Sequence, residues 1–390
     1  MAAAPLENVD NALIPCLGQV LWSWTTCAAC LSGQGCVSSA CPCRRSCRLE
    51  RYLQYYKAVV SAYVDAATNS SRPLKSHEDL FRAIALLKSH PDATRTEFYQ
   101  LAFPPSDGER PHDPADLLQA TSLVVKVLLM VESSALHHLS DRVEKGAFRT
   151  YWKDDVPFSQ YIRELFPVES HPVLSYADSE RFLDVKSELR ATKLKKKLGV
   201  SFRPTHDIRN HLCFDRKQNV LEIFHHTAFL KEQLRATKRS GDVSNPSASI
   251  KFGALPRQLV LEVLGSTQDV LFPLSDPKSK RLLRSLVKSC SLDPDVLSFE
   301  FSSIRNPGEE NTAYVFLADK LSDLHNEMRN PAPRGRLERL VERRSGARYM
   351  MMATLIGVIF AVLLGMLSLA VSLYQTWISY QAWQHPVSPA

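Results

Sequence analysis

A long uncharged stretch near the carboxyl end constrains this chain more than any other feature. From Tyr349 to Pro389 there is no Lys, Arg, Asp or Glu, and Met350 to Leu373 is 24 residues of almost unbroken apolar character. A helix needs roughly 20 such residues to cross about 30 Å of hydrocarbon. A half-buried surface helix would instead carry one polar face. The stretch therefore predicts a transmembrane helix, which we assign to residues 349–374.

The flanks of this helix predict its orientation. Aromatic residues that suit the headgroup zone follow it, and the neck at residues 331–348 is rich in arginine, whereas no Lys or Arg comes after the helix. Because basic residues beside a membrane helix stay on the cytosolic side, we expect a cytosolic bulk and a non-cytosolic tail at residues 375–390. The length of the apolar core favours a plasma or late secretory membrane, although helix tilt absorbs such differences.

One face of the predicted helix carries small residues four positions apart, namely Ala353, Gly357, Ala361 and Gly365. This spacing lets two helix backbones approach closely in lipid. It favours self-association, or packing against a partner's helix. The alternative is that glycine and alanine are simply common in membrane helices.

Seven of the nine cysteines fall in one short stretch near the amino end: Cys16, Cys27, Cys30, Cys36, Cys41, Cys43 and Cys47. No Lys or Arg precedes Arg44, so the basic start of a secretory signal is missing and a secreted disulfide module is disfavoured. One interpretation is that residues 1–47 form a disordered leader that carries no site.

Two other interpretations give these cysteines a role. Zinc could be held by Cys27 and Cys30 with Cys41 and Cys43, although the C-x-C spacing of the second pair is atypical and no histidine lies nearby. S-acylation of Cys41, Cys43 and Cys47 would place lipid chains beside three arginines, next to a membrane.

Apolar residues at helical spacing dominate residues 48–240, which we predict to be a helical cytosolic domain. Helix starts are indicated at Ser76 with Asp79 and at Thr94 with Glu97. The Asp113–Pro114 pair opens a helix that we extend to Leu139. Further predicted helices begin near Pro157, run from Asp178 through Lys197, and cover the amphipathic pattern from Val220 to Leu234.

A polar segment rich in helix breakers, Arg239 to Ala254, is the predicted internal linker. After it, residues 255–330 form a predicted smaller α+β subdomain. Two helices there are followed by Val296–Phe301 and Ala313–Leu317, which resemble the strands of a hairpin and suggest a winged-helix-like arrangement. The predicted fold class is thus mainly α, with this small subdomain and one C-terminal transmembrane helix.

Known catalytic signatures are missing from the sequence. With only 14 glycines, it has no phosphate-binding glycine loop and no nucleophile elbow, so we expect no cofactor and favour a non-enzymatic role. The richest polar cluster contains His206, Asp207, His211, Cys213, Asp215, His225 and His226. Its spacing argues against a preformed metal or catalytic site, because adjacent histidines should not both face one interior.

Basic residues suggest a membrane partner. The formal net charge is +7, and Lys193, Lys195, Lys196 and Lys197 form a run that could contact anionic lipid or an acidic partner. A solvated helix face explains the run equally well. We expect no nucleic-acid binding, because that would need a stronger and better localised basic face.

The segments ERRSGARYMMMATLIGVIFAVLLG, NPAPRGRLERLVERR and WISYQAWQHP resemble the C-terminal signature of an uncharacterised family of filamentous-fungal single-pass membrane proteins. The similarity extends upstream through LFPLSDPKSKRLLRSLV and FDRKQNVLEIFHHTAFLKEQL. It implies a shared topology and cytosolic domain but no functional residues. The sequence as a whole predicts a membrane-anchored helical interaction or scaffold protein; the alternatives are a membrane-tethered enzyme using residues 206–226 and a module that senses anionic lipid.

Overall fold

The computed structural model describes residues 5–9, 13–31, 36, 41–66, 72–104, 112–131, 151–175, 180–238, 250–309, 311, 313–331 and 348–384. The chain divides into two units, with the boundary between Asn330 and Pro331. The first contains the hydrophobic core. The second contains the long C-terminal helix.

The fold is mainly α-helical, as the sequence predicts. The helices of the first unit are α1 (Ile14–Trp22), α2 (Ala28–Leu31), α3 (Glu50–Ala66), α4 (His77–Ser89), α5 (Arg95–Ala102), α6 (Pro114–Leu129), α7 (Phe158–Leu165), α8 (Glu180–Glu188), α9 (Ala191–Leu198), α10 (Thr227–Lys238), α11 (Arg257–Gly265), α12 (Pro277–Ser289), α13 (Phe301–Ile304) and α14 (Ala318–Arg329). A 3₁₀ helix at Pro42–Leu49 leads into α3, and a π-helical turn at Ser266–Leu271 extends α11.

Local capping signals identify several helix starts correctly. Ser76 and Asp79 form a complete capping box at α4, and Thr94 and Glu97 form another at α5. The Asp113 side chain accepts a hydrogen bond from the backbone N–H of Ala115 at 2.9 Å. The helix that Asp113 starts is shorter than predicted. It ends at Leu129, and Met130 adopts a left-handed conformation whose N–H closes the last turn; residues 132–139 lie outside the described part of the chain.

A small three-stranded sheet replaces part of a predicted helix. β1 (Ser201–Thr205) pairs in parallel with β3 (Val220–Phe224), and β2 (Phe214–Asp215) pairs with the other edge of β3 in antiparallel orientation. The amphipathic pattern predicted from Val220 to Leu234 is therefore two elements, a strand and then α10. Leu221 and Ile223 are buried at alternate positions, and this short alternation gives way to helical spacing only after the chain turns at residues 225–226.

The basic helix predicted from Asp178 to Lys197 is also two helices. Arg190 leaves the helical conformation, with ψ at 136°, and separates α8 from α9. Leu189 and Leu194, on either side of this break, are completely buried. The change of direction at Arg190 allows both helices to pack their apolar sides on the core.

The predicted hairpin of a winged-helix-like subdomain is absent, so this prediction is wrong. Neither 296–301 nor 313–317 forms a strand. The buried Glu262 carboxylate accepts the backbone N–H groups of Val315, Phe316 and Leu317 at 2.8–2.9 Å. Backbone donors that a hairpin would use are thereby bound to a side chain on α11. Burial raises the pKa of Glu262 to about 7, although these backbone donors act in the opposite direction.

The predicted linker falls mostly on residues 239–249, which lie outside the described part of the chain. The helices on its two sides, α10 and α11, pack against each other within the first unit. Arg257 joins them, because its Nη1 donates to the carbonyl of Leu234 and to Oγ1 of Thr237, both at 2.7 Å. The same guanidinium also binds Glu309 through Nε at 2.6 Å.

The amino-terminal segment differs from the disordered leader that we predicted. Leu17, Leu21 and Trp22 of α1 are buried, and α1 packs against α4 and α10. The Lys88 ammonium group of α4 donates to the carbonyls of Val20 and Leu21 at 2.9 and 2.7 Å, near the end of α1. Apolar residues repeated at helical spacing give α1 a buried side, which a charge-free composition alone does not reveal.

In the second unit, α15 (Arg348–Gln384) is a single helix of 37 residues. Its segment Thr354–Gln381 is long and apolar enough to cross a membrane, and within this unit it is not buried by protein. The helix continues beyond the predicted end at residue 374, so Trp377 and Tyr380 are helical. Pro386 is the first helix breaker after that position in the sequence.

Candidate functional site

Three histidines that are not adjacent in the sequence as a group, His206, His225 and His226, lie close together in the structure. His206 follows β1, while His225 and His226 occupy the turn between β3 and α10. His206 Nδ1 lies 2.7 Å from His226 Nε2, and one nitrogen of each of the three rings lies within 4.8 Å of the others. The expectation that His225 and His226 cannot both face the interior is wrong. Neither residue belongs to a helix or a strand, so the chain turns between them and buries both rings.

The hydrogen bonds of His225 fix its tautomer. Its Nδ1 accepts the backbone N–H of Asp293 at 3.1 Å, so the ring proton of the neutral imidazole sits on Nε2. Burial lowers the pKa of His225 to about 3 and that of His226 well below its usual value, and each is lowered further by the neighbouring histidines. All three rings are therefore neutral near pH 7, since burial also lowers the pKa of His206.

The tautomer of His225 decides against a three-histidine metal site. A metal ligand must offer a lone pair, whereas Nε2 of His225 carries the proton and Nδ1 is already engaged. Only His206 and His226 remain, and their 2.7 Å contact is that of a hydrogen bond between the two rings. Tyr55 covers both rings, with centroids at 5.4 and 5.7 Å. The arrangement is that of a packed ring cluster.

The other members of the predicted polar cluster lie elsewhere and have local partners. His211 is fully buried, with Nε2 2.7 Å from Ser266 Oγ and Nδ1 accepting the N–H of Phe224 at 3.1 Å. The carboxylate of Asp207 binds the guanidinium of Arg209 at 2.6 Å. The structure therefore divides residues 206–226 into a histidine cluster and several structural contacts, and Asp207 and His211 do not join His225 and His226.

The basic run predicted at Lys193–Lys197 lies on α9. Lys195, Lys196 and Lys197 are exposed, Lys193 is half-buried, and Leu194 and Leu198 anchor the helix in the core. α9 packs against α12, a second helix that carries no acidic residue, and Thr192 Oγ1 at the start of α9 lies 3.4 Å from the Asp276 carboxylate that caps α12.

α12 adds five more exposed basic side chains: Lys278, Lys280, Arg281, Arg284 and Lys288. We call these five and Lys195–Lys197 the basic surface. Within the described residues, none of the eight forms an ion pair with a carboxylate. The structure thus places a second basic helix beside the one that we selected from the sequence.

Four cysteines of the amino-terminal segment converge as a second cluster. The sulfur atoms of Cys27, Cys30, Cys36 and Cys41 all lie within 4.8 Å of one another. Cys27 Sγ is 3.4 Å from Cys30 Sγ, which is 3.8 Å from Cys41 Sγ. The predicted zinc set contained Cys43 in the place of Cys36. From the sequence we paired Cys41 with the nearby Cys43, whereas the structure brings Cys36 to Cys41, at a C-x₄-C spacing that zinc sites also use. The Cys43 thiol still contacts the thiols of Cys30 and Cys41 at the edge of the cluster.

This arrangement bears on the predicted S-acylation as well. Cys41 is only 4% exposed and its sulfur faces the cluster, so it is poorly placed for acylation. Cys43 is half-buried, whereas Cys47 is exposed. S-acylation of Cys43 and Cys47 stays a prediction; of the two, Cys47 is the more accessible, and both lie beside basic residues of the 3₁₀ helix.

Sequence reasoning missed a polar cavity of about 650 Å³ between α8 and α14. Its lining includes Asp184, Glu188, His325 and Arg329. His325 Nε2 lies 2.8 Å from the Glu188 carboxylate. These residues are 137 positions apart in the sequence, so no local spacing could have indicated that they meet.

No protein-family model, no curated protein and no solved structure matches this chain.

Proposed function

We propose that this chain is a membrane-anchored interaction protein, whose first unit is held beside a bilayer by α15 and presents the basic surface to an acidic partner. The proposal depends chiefly on α15, where Thr354–Gln381 has the length and composition of a membrane span. Large apolar side chains such as Phe360, Leu367 and Leu373 are exposed along it, and water is a poor solvent for such a surface.

The proposed orientation places the first unit in the cytosol. Six arginines lie between residues 334 and 348, and no Lys or Arg follows the span. This asymmetry supports a cytosolic amino-terminal side by the positive-inside rule. The cytosolic leaflet is also the one that carries anionic lipid, at which a basic surface would act.

Anionic lipid is the acidic partner that we favour. Each well-placed Lys or Arg contributes about 1 kcal/mol at an anionic membrane surface. Lys195–Lys197 with the five basic residues of α12 therefore offer several kcal/mol, and no neighbouring carboxylate within the described residues pairs with them. An acidic protein segment is the second candidate, because the same unpaired charges would bind it.

Membrane insertion and orientation can be tested on the full chain expressed in cells. We expect the protein to resist alkaline carbonate extraction, and protease added to sealed cytosol-facing-out vesicles to digest the first unit. A variant that ends at Asn330 should appear in the soluble fraction. Release of the full chain by carbonate, or protection of the first unit from protease, would refute the anchored topology.

The basic surface can be tested with the variant that ends at Asn330. We expect it to bind vesicles containing phosphatidylserine at low ionic strength and to dissociate as salt is raised, because exposed charges are screened. Replacing Lys195, Lys196 and Lys197 by Glu should weaken binding at least tenfold. The same replacement at the exposed Lys57, Lys153 and Lys251 is the matched control. Equal loss in both triple variants would refute a specific role of the basic surface in lipid binding. No binding at low salt would refute anionic lipid as the partner and favour an acidic protein segment.

A further inference from the structure

The four converging cysteines form a cluster of the size that a tetrahedral metal ion needs. With zinc–sulfur bonds of about 2.3 Å, tetrahedral geometry separates neighbouring sulfurs by about 3.8 Å. The observed separations of 3.4 Å for Cys27–Cys30 and 3.8 Å for Cys30–Cys41 lie close to this value, and all four sulfurs lie within 4.8 Å of one another. A disulfide would require a sulfur–sulfur distance of about 2.05 Å.

The surroundings of Cys41 suit a thiolate. Backbone N–H groups of Cys27 and Cys43 donate to its sulfur, as they do around metal-bound thiolates. Arg44 follows closely in the chain, next to a site that would carry four thiolates on one divalent ion. Buried Cys41 and exposed Cys36 place the cluster at the edge of the first unit, where an ion can enter from water.

The cluster lies between two chain positions that are fixed on the same side chain. Trp24 Nε1 donates to Glu232 Oε2 at 3.0 Å, and Arg45 Nε donates to Glu232 Oε1 at 2.8 Å. Trp24 precedes the first cysteine of the cluster and Arg45 follows the last. The segment between Trp24 and Arg45, which we call the cysteine loop, therefore has both of its ends bound to α10, and its described residues contribute few large apolar side chains of their own.

We propose that Cys27, Cys30, Cys36 and Cys41 bind a structural zinc ion that holds this loop closed on α10. Four thiolates around one ion leave no open coordination position, so the site is structural and not catalytic. Binding releases the thiol protons to water as each sulfur coordinates the ion. Tetrahedral sulfur ligation also suits iron, and metal analysis separates the two.

The test is metal analysis of the full chain, purified in detergent with a reductant and without added chelator. We expect about one zinc ion per chain. Replacing Cys36 by Ser should lower the zinc content at least fivefold. Cys43→Ser should lower it less, because the Cys43 thiol contacts Cys30 and Cys41 but is not one of the four proposed ligands. This pair of variants distinguishes the cluster seen in the structure from one that uses Cys43. Cys47→Ser is a further control, because that side chain is exposed.

A second measurement keeps the proposal testable if a variant fails to fold. Cobalt(II) added to the chelator-treated wild-type protein should give the intense thiolate charge-transfer absorption of a four-sulfur site, and zinc should abolish it. Alkylation followed by mass spectrometry should show Cys27, Cys30, Cys36 and Cys41 protected until the chelator is added. Iron in place of zinc, zinc content insensitive to Cys36→Ser, or disulfides among these cysteines in thiol-trapped cells would overturn the proposal.

Discussion

Arg45 and Glu232 form a two-point ion pair that joins the amino-terminal segment to α10, with Nε–Oε1 and Nη2–Oε2 distances of 2.8 and 3.0 Å. The carboxylate also accepts the indole N–H of Trp24 at 3.0 Å and an Nη1–H of Arg235 at 2.5 Å. The Glu232 side chain is 4% exposed, so its charge depends on these partners. This one carboxylate therefore fixes both ends of the cysteine loop.

Replacing Glu232 by Ala should lower the free energy of unfolding by about 3 kcal/mol, because it leaves the buried Trp24 indole and the Arg45 guanidinium without their acceptor, whereas Arg235 keeps Glu300. Chemical denaturation of the detergent-purified chain measures the change. Glu7→Ala is the control, since the Arg72–Glu7 pair is exposed at 3.4 Å and should be worth less than about 1 kcal/mol. Equal effects of the two substitutions would contradict the role assigned to Glu232.

The buried histidines predict that the protein loses stability in mild acid. The pKa values of His211 and His225 are lowered to about 3, and that of His226 is also well below its usual value of about 6.5. The unfolded chain therefore binds protons that the native state excludes. This stability is fully present above about pH 6.5 and decreases as pH falls toward 3, by up to about 1.4 kcal/mol per pH unit for each ring.

Denaturation between pH 7.5 and pH 5 tests this expectation. His225→Asn preserves an acceptor for the Asp293 N–H and removes one titrating ring, so it should reduce the slope of stability against pH by about one proton. Substitution of the exposed His90 is the matched control for loss of a histidine. A slope that is the same in wild type and His225→Asn would refute burial of His225 as a neutral ring.

We predict that Glu262 fixes the backbone of residues 315–317, which belong to the segment that the sequence predicts as a strand. Glu262→Ala removes the acceptor of three backbone N–H groups and should lower the free energy of unfolding by about 2–4 kcal/mol. Hydrogen exchange at Val315, Phe316 and Leu317 should accelerate selectively. The exposed Glu164 is the control, and its replacement by Ala should change stability by less than about 0.5 kcal/mol. Unchanged exchange at residues 315–317 would count against this anchoring.

The small-residue face of α15 remains a prediction that can be tested in lipid. A Cβ added at Gly357 or Gly365 meets nothing within 4 Å in the single chain, so a larger side chain fits the isolated helix. If two helices associate through this face, Gly357→Ile and Gly365→Ile should weaken self-association at least tenfold, since close backbone approach is lost. Förster transfer between labelled chains in bilayers measures this. Leu363→Ile, on the opposite side of the helix, should have no effect, and equal loss in all three variants would exclude a specific face.

Sequence reasoning succeeded where the information is local. A capping box such as Ser76 with Asp79 requires only four consecutive residues, and the long apolar C-terminal helix requires only composition over one segment. Sequence reasoning failed where contacts between residues far apart in the sequence determine the local structure. The hairpin was replaced because Glu262 binds backbone more than 50 positions away, and the histidine cluster formed because β1 pairs with β3 and brings His206 to His226. α1 is buried through contacts with helices that begin at positions 77 and 227, which its own charge-free sequence does not indicate.

The contact between Trp24 and Glu232 spans 208 positions, and this separation orders the events of synthesis. α1 leaves the ribosome long before α10. The rings of Trp22 and Trp24 are therefore synthesised well before the Phe229 and Glu232 side chains that contact them in the folded protein. Folding that closes such a long loop is slow, and exposed apolar rings attract chaperones or other nascent chains meanwhile. The amino-terminal segment is therefore prone to wrong contacts until α10 has been synthesised.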